Sequence, residues 1–220
     1  MLRRSILATA ALLAASPGLA QVQAPAQVQA PAPAPAQAQA ADPRLGERGV
    51  GNPEAPVTVT EFFSMTCGHC AAFHKDIFPR VKRELVETGA IRLVWRDFPL
   101  DQLALTAAAV ARSLPAERYE GFLGALLASQ DRWAFTRGDP VAELAKLAAL
   151  AGMARPRFDE VAADLPFQRA IMEQRGAAER EYSVSATPSF SFRGKGAPHN
   201  QSGNMTFERF QQMVEDARRG

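Results

Sequence analysis

Apolar residues fall into distinct patterns along the chain, and each pattern predicts an element. From Val57 to Phe63 they crowd together, with Val57, Val59 and the pair Phe62-Phe63 in a run of β-formers just after Pro53 and Pro56, which predicts a central strand. Beyond Cys67 the spacing changes. Phe73, Ile77, Val81 and Leu85 recur every four residues and predict the buried stripe of a helix reaching about Glu87. Pro79 inside that stripe has no amide to donate and is expected to kink the helix, while Gly89 is placed to cap its end. Ile91 to Phe98, built around Leu93-Val94-Trp95, predicts a second strand. The crossover is long enough for parallel pairing, so strand, helix and strand make a βαβ unit.

From Asp101 to about Tyr182 the β-branched runs vanish and helical periodicity dominates, which predicts an inserted all-helical subdomain over about 101–182. Leu103, Ala107, Val110 and Leu114 mark one helix, and Tyr119, Phe122, Leu123, Leu126 and Leu127 a second. Leu144, Leu147, Ala148 and Ala151 mark a third, behind an Asp139 N-cap with Pro140 at its first position. Phe158 and Val161 suggest a fourth. Asp164 and Pro166 open a long helix to Tyr182, with Ile171, Ala178 and Tyr182 inward. Strand composition returns from Val184 to Arg193, where Ser189-Phe190-Ser191-Phe192 alternates and buries two phenylalanines. Gly194-Lys195-Gly196 turns the chain into an edge strand carrying Pro198, and Thr206 caps a last helix whose Phe207, Phe210, Val214 and Ala217 face the sheet.

The folded region is assigned to 42–220, with its first strand after Asn52. Ahead of it, residues 1–20 are expected to be a cleavable signal peptide: Arg3-Arg4, an apolar run from Ile6 to Ala15, then Pro17-Gly18-Leu19-Ala20. That run is about half of the roughly 20 residues a membrane-spanning helix needs. Residues 21–41 are Ala, Pro, Gln and Val without a charge, an expected disordered linker biased toward extended conformations. Removing Arg3 and Arg4 takes the formal charge from +2 to about zero. Basic residues form neither a stripe nor a patch, so a nucleic-acid partner is not expected. Export to an oxidising compartment, the periplasm, is the expectation that bears on chemistry.

The chain has two cysteines, Cys67 and Cys70, in Glu61-Phe62-Phe63-Ser64-Met65-Thr66-Cys67-Gly68-His69-Cys70. A disulfide between them closes almost no chain, so it contributes little stability and its value is chemical. Amides of a first helical turn lack intrahelical partners and point at Cys67, and the helix dipole adds partial positive charge there. In Cys-x-x-Cys motifs a thiol pKa near 8.5 falls to about 3.5 to 7. At 1.36 kcal/mol per unit, that favours the reduced, ionised form by roughly 2 to 7 kcal/mol. His69 can add a hydrogen bond or positive charge to the same sulfur, and Cys70, partly covered by the helix, would resolve a mixed disulfide. A zinc site needs four ligands, and His69, His74 and His199 supply no second ligand pair; haem attachment needs His at the position of Ala71. Neither metal nor other cofactor is expected.

With these residues, the continuation Phe78-Pro79, the segment Arg96-Asp97-Phe98-Pro99-Leu100 and the pair Thr187-Pro188, the chain resembles the DsbA family of thioredoxin-fold thiol:disulfide oxidoreductases, particularly its alphaproteobacterial branch. The likeness runs from about Asn52 to Ala217. It implies an α/β, thioredoxin-like fold with an inserted all-helical subdomain. It also implies Cys67 as nucleophile, Cys70 as resolving thiol, Pro188 as a cis-proline beside the disulfide, and Glu61 as a buried acid aiding proton transfer. Thr187, with Thr66 and Gly68, would line the peptide groove. The family's partners would be reduced exported proteins and a membrane quinone-linked reoxidising protein of DsbB type, and a monomer is expected. Gly68 stands where the best-known members carry proline, and Cys-Gly-His-Cys is the pattern seen in protein disulfide isomerases. An isomerase or reductase kept reduced by a membrane donor therefore stays open, as does a non-catalytic peptide- or metal-binding module.

Overall fold

A computed structural model describes residues 42–220, so the expected signal peptide and linker lie outside the described residues. Five strands form one sheet in the order β1-β3-β2-β4-β5. They are β1 (Arg48–Val50), β2 (Val57–Phe63), β3 (Ile91–Asp97), β4 (Ser189–Arg193) and β5 (His199–Ser202). β2 pairs with β3 in parallel, from Val57 opposite Ile91 to Phe63 opposite Asp97, as the long crossover requires. The other three pairings are antiparallel.

Alternation along β2 assigns its two faces. Val57, Val59 and Phe63 enter the main core, whereas Phe62 points the other way, into a small cluster with Phe98, Ala178 and Val184. Tyr182 packs on Phe62 with ring centroids 5.0 Å apart. That second face is covered by α8 (Leu165–Tyr182). On the main face α9 (Phe207–Arg219) packs on β2 and β4, capped by Thr206 and burying Phe207, Phe210, Met213, Val214 and Ala217.

The crossover helix differs from the expected single kink at Pro79. It winds as α1 (Gly68–Ala72), a π-turn (Phe73–Ile77), α2 (Phe78–Val81) and a second π-turn (Lys82–Val86), then ends at Gly89 with φ +76°. An α-helix has 3.6 residues per turn, so apolar residues four apart drift around it. Wider i→i+5 turns take up the drift, which keeps Phe73, Val81 and Leu85 buried on one side and absorbs Pro79 at the start of α2.

The insertion comprises α3 (Gln102–Arg112), α4 (Ala116–Ala128), α5 (Gln130–Trp133), α6 (Pro140–Leu150), α7 (Arg155–Ala162) and α8. Asp139 caps α6 as expected. Three features depart from expectation. Strand β1 begins the sheet before Asn52, and the segment leading into it is held by the buried Arg112, which pairs with Asp97 and donates to the Arg44 and Gly46 carbonyls at 3.2 and 3.1 Å. The expected strand from Val184 forms only from Ser189, because Thr187-Pro188 is a cis peptide that breaks the run. Pro198 lies just outside β5. Among the described residues no helix is long and apolar enough to cross a membrane.

Candidate active site

β2 ends at Phe63, and the loop Ser64–Thr66 delivers the chain to the tip of α1. Cys67 is the N-cap: its sulfur accepts the Cys70 amide at 3.4 Å and lies 3.3 Å from the Thr187 carbonyl, to which it donates only in its protonated form. The two cysteines are free thiols, Cys70 wholly buried and Cys67 nearly so. The cis Thr187-Pro188 bond thus stands directly against Cys67, across from the helix tip.

Three residues apart, the two sulfurs meet opposite electrostatics. Cys67 is lowered from 9.0 to about 5, first by a hydrogen bond from the Cys70 thiol. Burial opposes this, and the Thr187 hydroxyl, buried with no other partner, together with the Cys70 and His69 amides, reinforces it. Cys70 moves up, above all through burial, then through the hydrogen bond it gives to Cys67 and through the negative charge of Glu61. One sulfur is therefore ionised at neutral pH while the other keeps its proton.

His69 is exposed at the second position of the helix; among the described residues its ring makes no hydrogen bond to sulfur, while its backbone amide favours the thiolate. Gly68 is also exposed, and a side chain there would meet open space. Thr66 is half-buried and donates through Oγ1 to Asp101 at 2.6 Å, and Asp101 in turn caps α3 through the Ala104 amide. That pair ties the cysteine loop to the insertion.

Glu61 is fully buried in β2, opposite Trp95 on one side and Phe190 on the other. A carboxyl group there must be satisfied. His74 does so: its Nε2 lies 3.1 and 3.0 Å from the two carboxylate oxygens. Gln130 is a second residue that periodicity gave no reason to single out. It is buried on the four-residue α5, and Nε2 donates to the Met65 carbonyl at 2.8 Å and the Cys67 carbonyl at 3.0 Å. His199 lies on the exposed strand β5, and among the described residues no group of three or more His, Cys, Asp or Glu could hold a metal.

A family model described as thioredoxin matches residues 44–216. The chain belongs to the thioredoxin family. Within this family it is DsbA-like: alpha-DsbA1 of Wolbachia pipientis superposes with a TM-score of 0.71 at 26% identity, over 79% of this chain and 91% of that one. A thioredoxin-like oxidoreductase from Silicibacter pomeroyi gives 0.62 at 26% identity, over 81% and 95%. A Rickettsia felis sequence provisionally named a protein-disulfide oxidoreductase is 38% identical over 88 residues, 40% of this chain. That match spans about a third, 32%, of the Rickettsia protein's length. The thioredoxin-family assignment covers the sheet, the Cys67 helix and the helical insertion together.

Proposed function

We propose that the chain is a periplasmic thiol:disulfide oxidoreductase that donates the Cys67-Cys70 disulfide to reduced exported proteins. The observation that carries this reading is the unequal pair of sulfurs: Cys67 at a helix tip facing the cis-proline loop, and Cys70 buried beneath it. A thiolate as stable as that of Cys67 is a good leaving group, so the reduced protein is favoured and the disulfide is readily lost to a substrate. Thr187 and Pro188, beside Cys67, would pair with an extended substrate segment as an added strand, with Thr66 and Gly68 on the rim. Glu61 would hold the proton that Cys70 gains when the disulfide opens.

A donor must be recharged, and a membrane quinone-linked protein of DsbB type fits that need. The signal-like start of the sequence supports export. The family assignment and the Wolbachia and Silicibacter structures support the reaction class. Equilibrating Cys67-Cys70 against glutathione tests the direction, since about 30 mV shifts the equilibrium tenfold. An oxidase gives a pair more oxidising than glutathione; a pair that glutathione leaves oxidised would turn the reading toward a reductase, and a pair found mostly reduced in the periplasm toward an isomerase.

A further inference from the structure

Glu61 has no route to solvent through the sheet, being fully buried between Trp95 and Phe190. A group that gives and takes protons needs one, and His74 is the polar side chain bonded to it. The imidazole sits on the first π-turn, packed against Phe63, Phe73 and Phe78 with ring centroids 6.5, 5.5 and 5.0 Å away. Its side chain is 6% exposed. Nε2 faces the carboxylate, and among the described residues Nδ1 has no hydrogen-bond partner.

On its other side the ring lines a cavity of about 690 Å³, whose wall includes Ala72, Phe78, Trp95, Lys82 and Glu120. Lys82 and Glu120 give that wall charged groups able to hold water, whereas the Trp95 indole N–H is buried beyond the reach of water and has no partner. Alanines and glycines of α1 and α4, among them Ala71 and Gly124, keep the space open. The charged groups facing the imidazole are Glu61 from β2, Lys75 from its own turn, Lys82 from the second π-turn, and Glu117 and Glu120 from α4. Lys82 and Glu120 pair with each other at 2.5 Å.

We propose that His74 is a positioning residue and proton relay, holding the Glu61 carboxyl group and passing protons between it and the cavity. This rests on the exchange reading above. When a substrate thiolate attacks Cys67, the Cys67–Cys70 bond breaks and its electron pair goes to the Cys70 sulfur. That sulfur takes a proton from the Glu61–His74 pair, and cavity water recharges the pair through the imidazole. A second substrate thiolate then attacks the substrate sulfur and expels Cys67 as a thiolate, which needs no proton. Two substrate thiols become one disulfide, and the protein takes up two electrons and one proton. A ring nitrogen 3.0 Å from a carboxylate oxygen shares one proton with it, and the relay moves that proton toward Cys70 as the cavity supplies the next one at Nδ1.

The test is single-turnover oxidation of a reduced peptide by the oxidised full chain, from about pH 5 to 8. His74→Phe keeps the aromatic packing and removes the relay; His74→Gln keeps a hydrogen bond to Glu61 but carries no proton. Both should slow the step by about tenfold, and imidazole added in the millimolar range should restore part of the rate. The Cys67 titration should stay at about 5 in both. Should His74→Phe fail to fold, the glutamine variant decides alone. A glutamine variant as fast as the parent at every pH, or slow variants indifferent to imidazole, overturns the relay and leaves the exchange reading intact. A parent that oxidises no peptide overturns both.

Discussion

The tip of the Cys67 helix and the floor beneath Cys70 are three residues apart yet act on sulfur in opposite senses. At the tip, amides without helical partners, a neighbouring thiol and the Thr187 hydroxyl all stabilise negative charge. At the floor, burial and the Glu61 carboxylate oppose it. A two-residue spacer therefore suffices to make two different reagents from one residue type, because the helix start is electropositive and the strand end below it is not.

The largest expected effect comes from exchanging the sulfurs themselves. Cys67→Ser should abolish peptide oxidation, while Cys70→Ser should accumulate mixed disulfides that gel electrophoresis without reductant would display. Full activity of Cys67→Ser would erase the distinction between tip and floor.

Acidity gives the next. Alkylation of Cys67 in the reduced protein should be half-maximal near pH 5, with Cys70 unreactive throughout, as peptide mapping would read. The sign for stability follows: a thiol lowered by folding stabilises the reduced protein fully above the unfolded value near 8.5, and that advantage is lost as pH falls toward about 5. Denaturation midpoints of the reduced and oxidised forms should converge over that interval.

Smaller effects concern what holds the tip in place. Gln130→Ala leaves the Met65 carbonyl unpaired and takes one of two donors from the Cys67 carbonyl, which keeps the Ala71 amide, and should cost about 1 to 3 kcal/mol in denaturant unfolding. Gly68→Pro should be close to neutral for folding, since the position opens on empty space and proline is favoured at a first helical residue. Its expected change is confined to the glutathione equilibrium.

How far the sequence revealed these regions depended on range. Val57–Phe63, Ile91–Asp97 and the α3, α4 and α6 stripes were legible because their periodicity is local and long enough to read. Strand β1 was not, since Arg48–Val50 is three residues with one exposed, held by an arginine 64 residues away, Arg112. The cysteines, Glu61 and the Thr187-Pro188 pair announced themselves through motif and resemblance. His74 and Gln130 did not, because each matters through a partner 13 and 63 residues distant, Glu61 and Cys67. Only the folded chain puts a histidine against a strand carboxylate, or a glutamine of a four-residue helix under a loop. His69, conspicuous between the cysteines, faces water instead.

The π-turn at Phe73–Ile77 carries one residue more than an α-turn. Deleting a residue there would swing the two halves of the helix by about 100° relative to each other. The leading half is keyed to the Thr187-Pro188 loop and the trailing half to the sheet, so a shortened chain could seat one or the other. The surplus residue is a phase adjuster, and its removal would disconnect chemistry from scaffold without altering either sulfur.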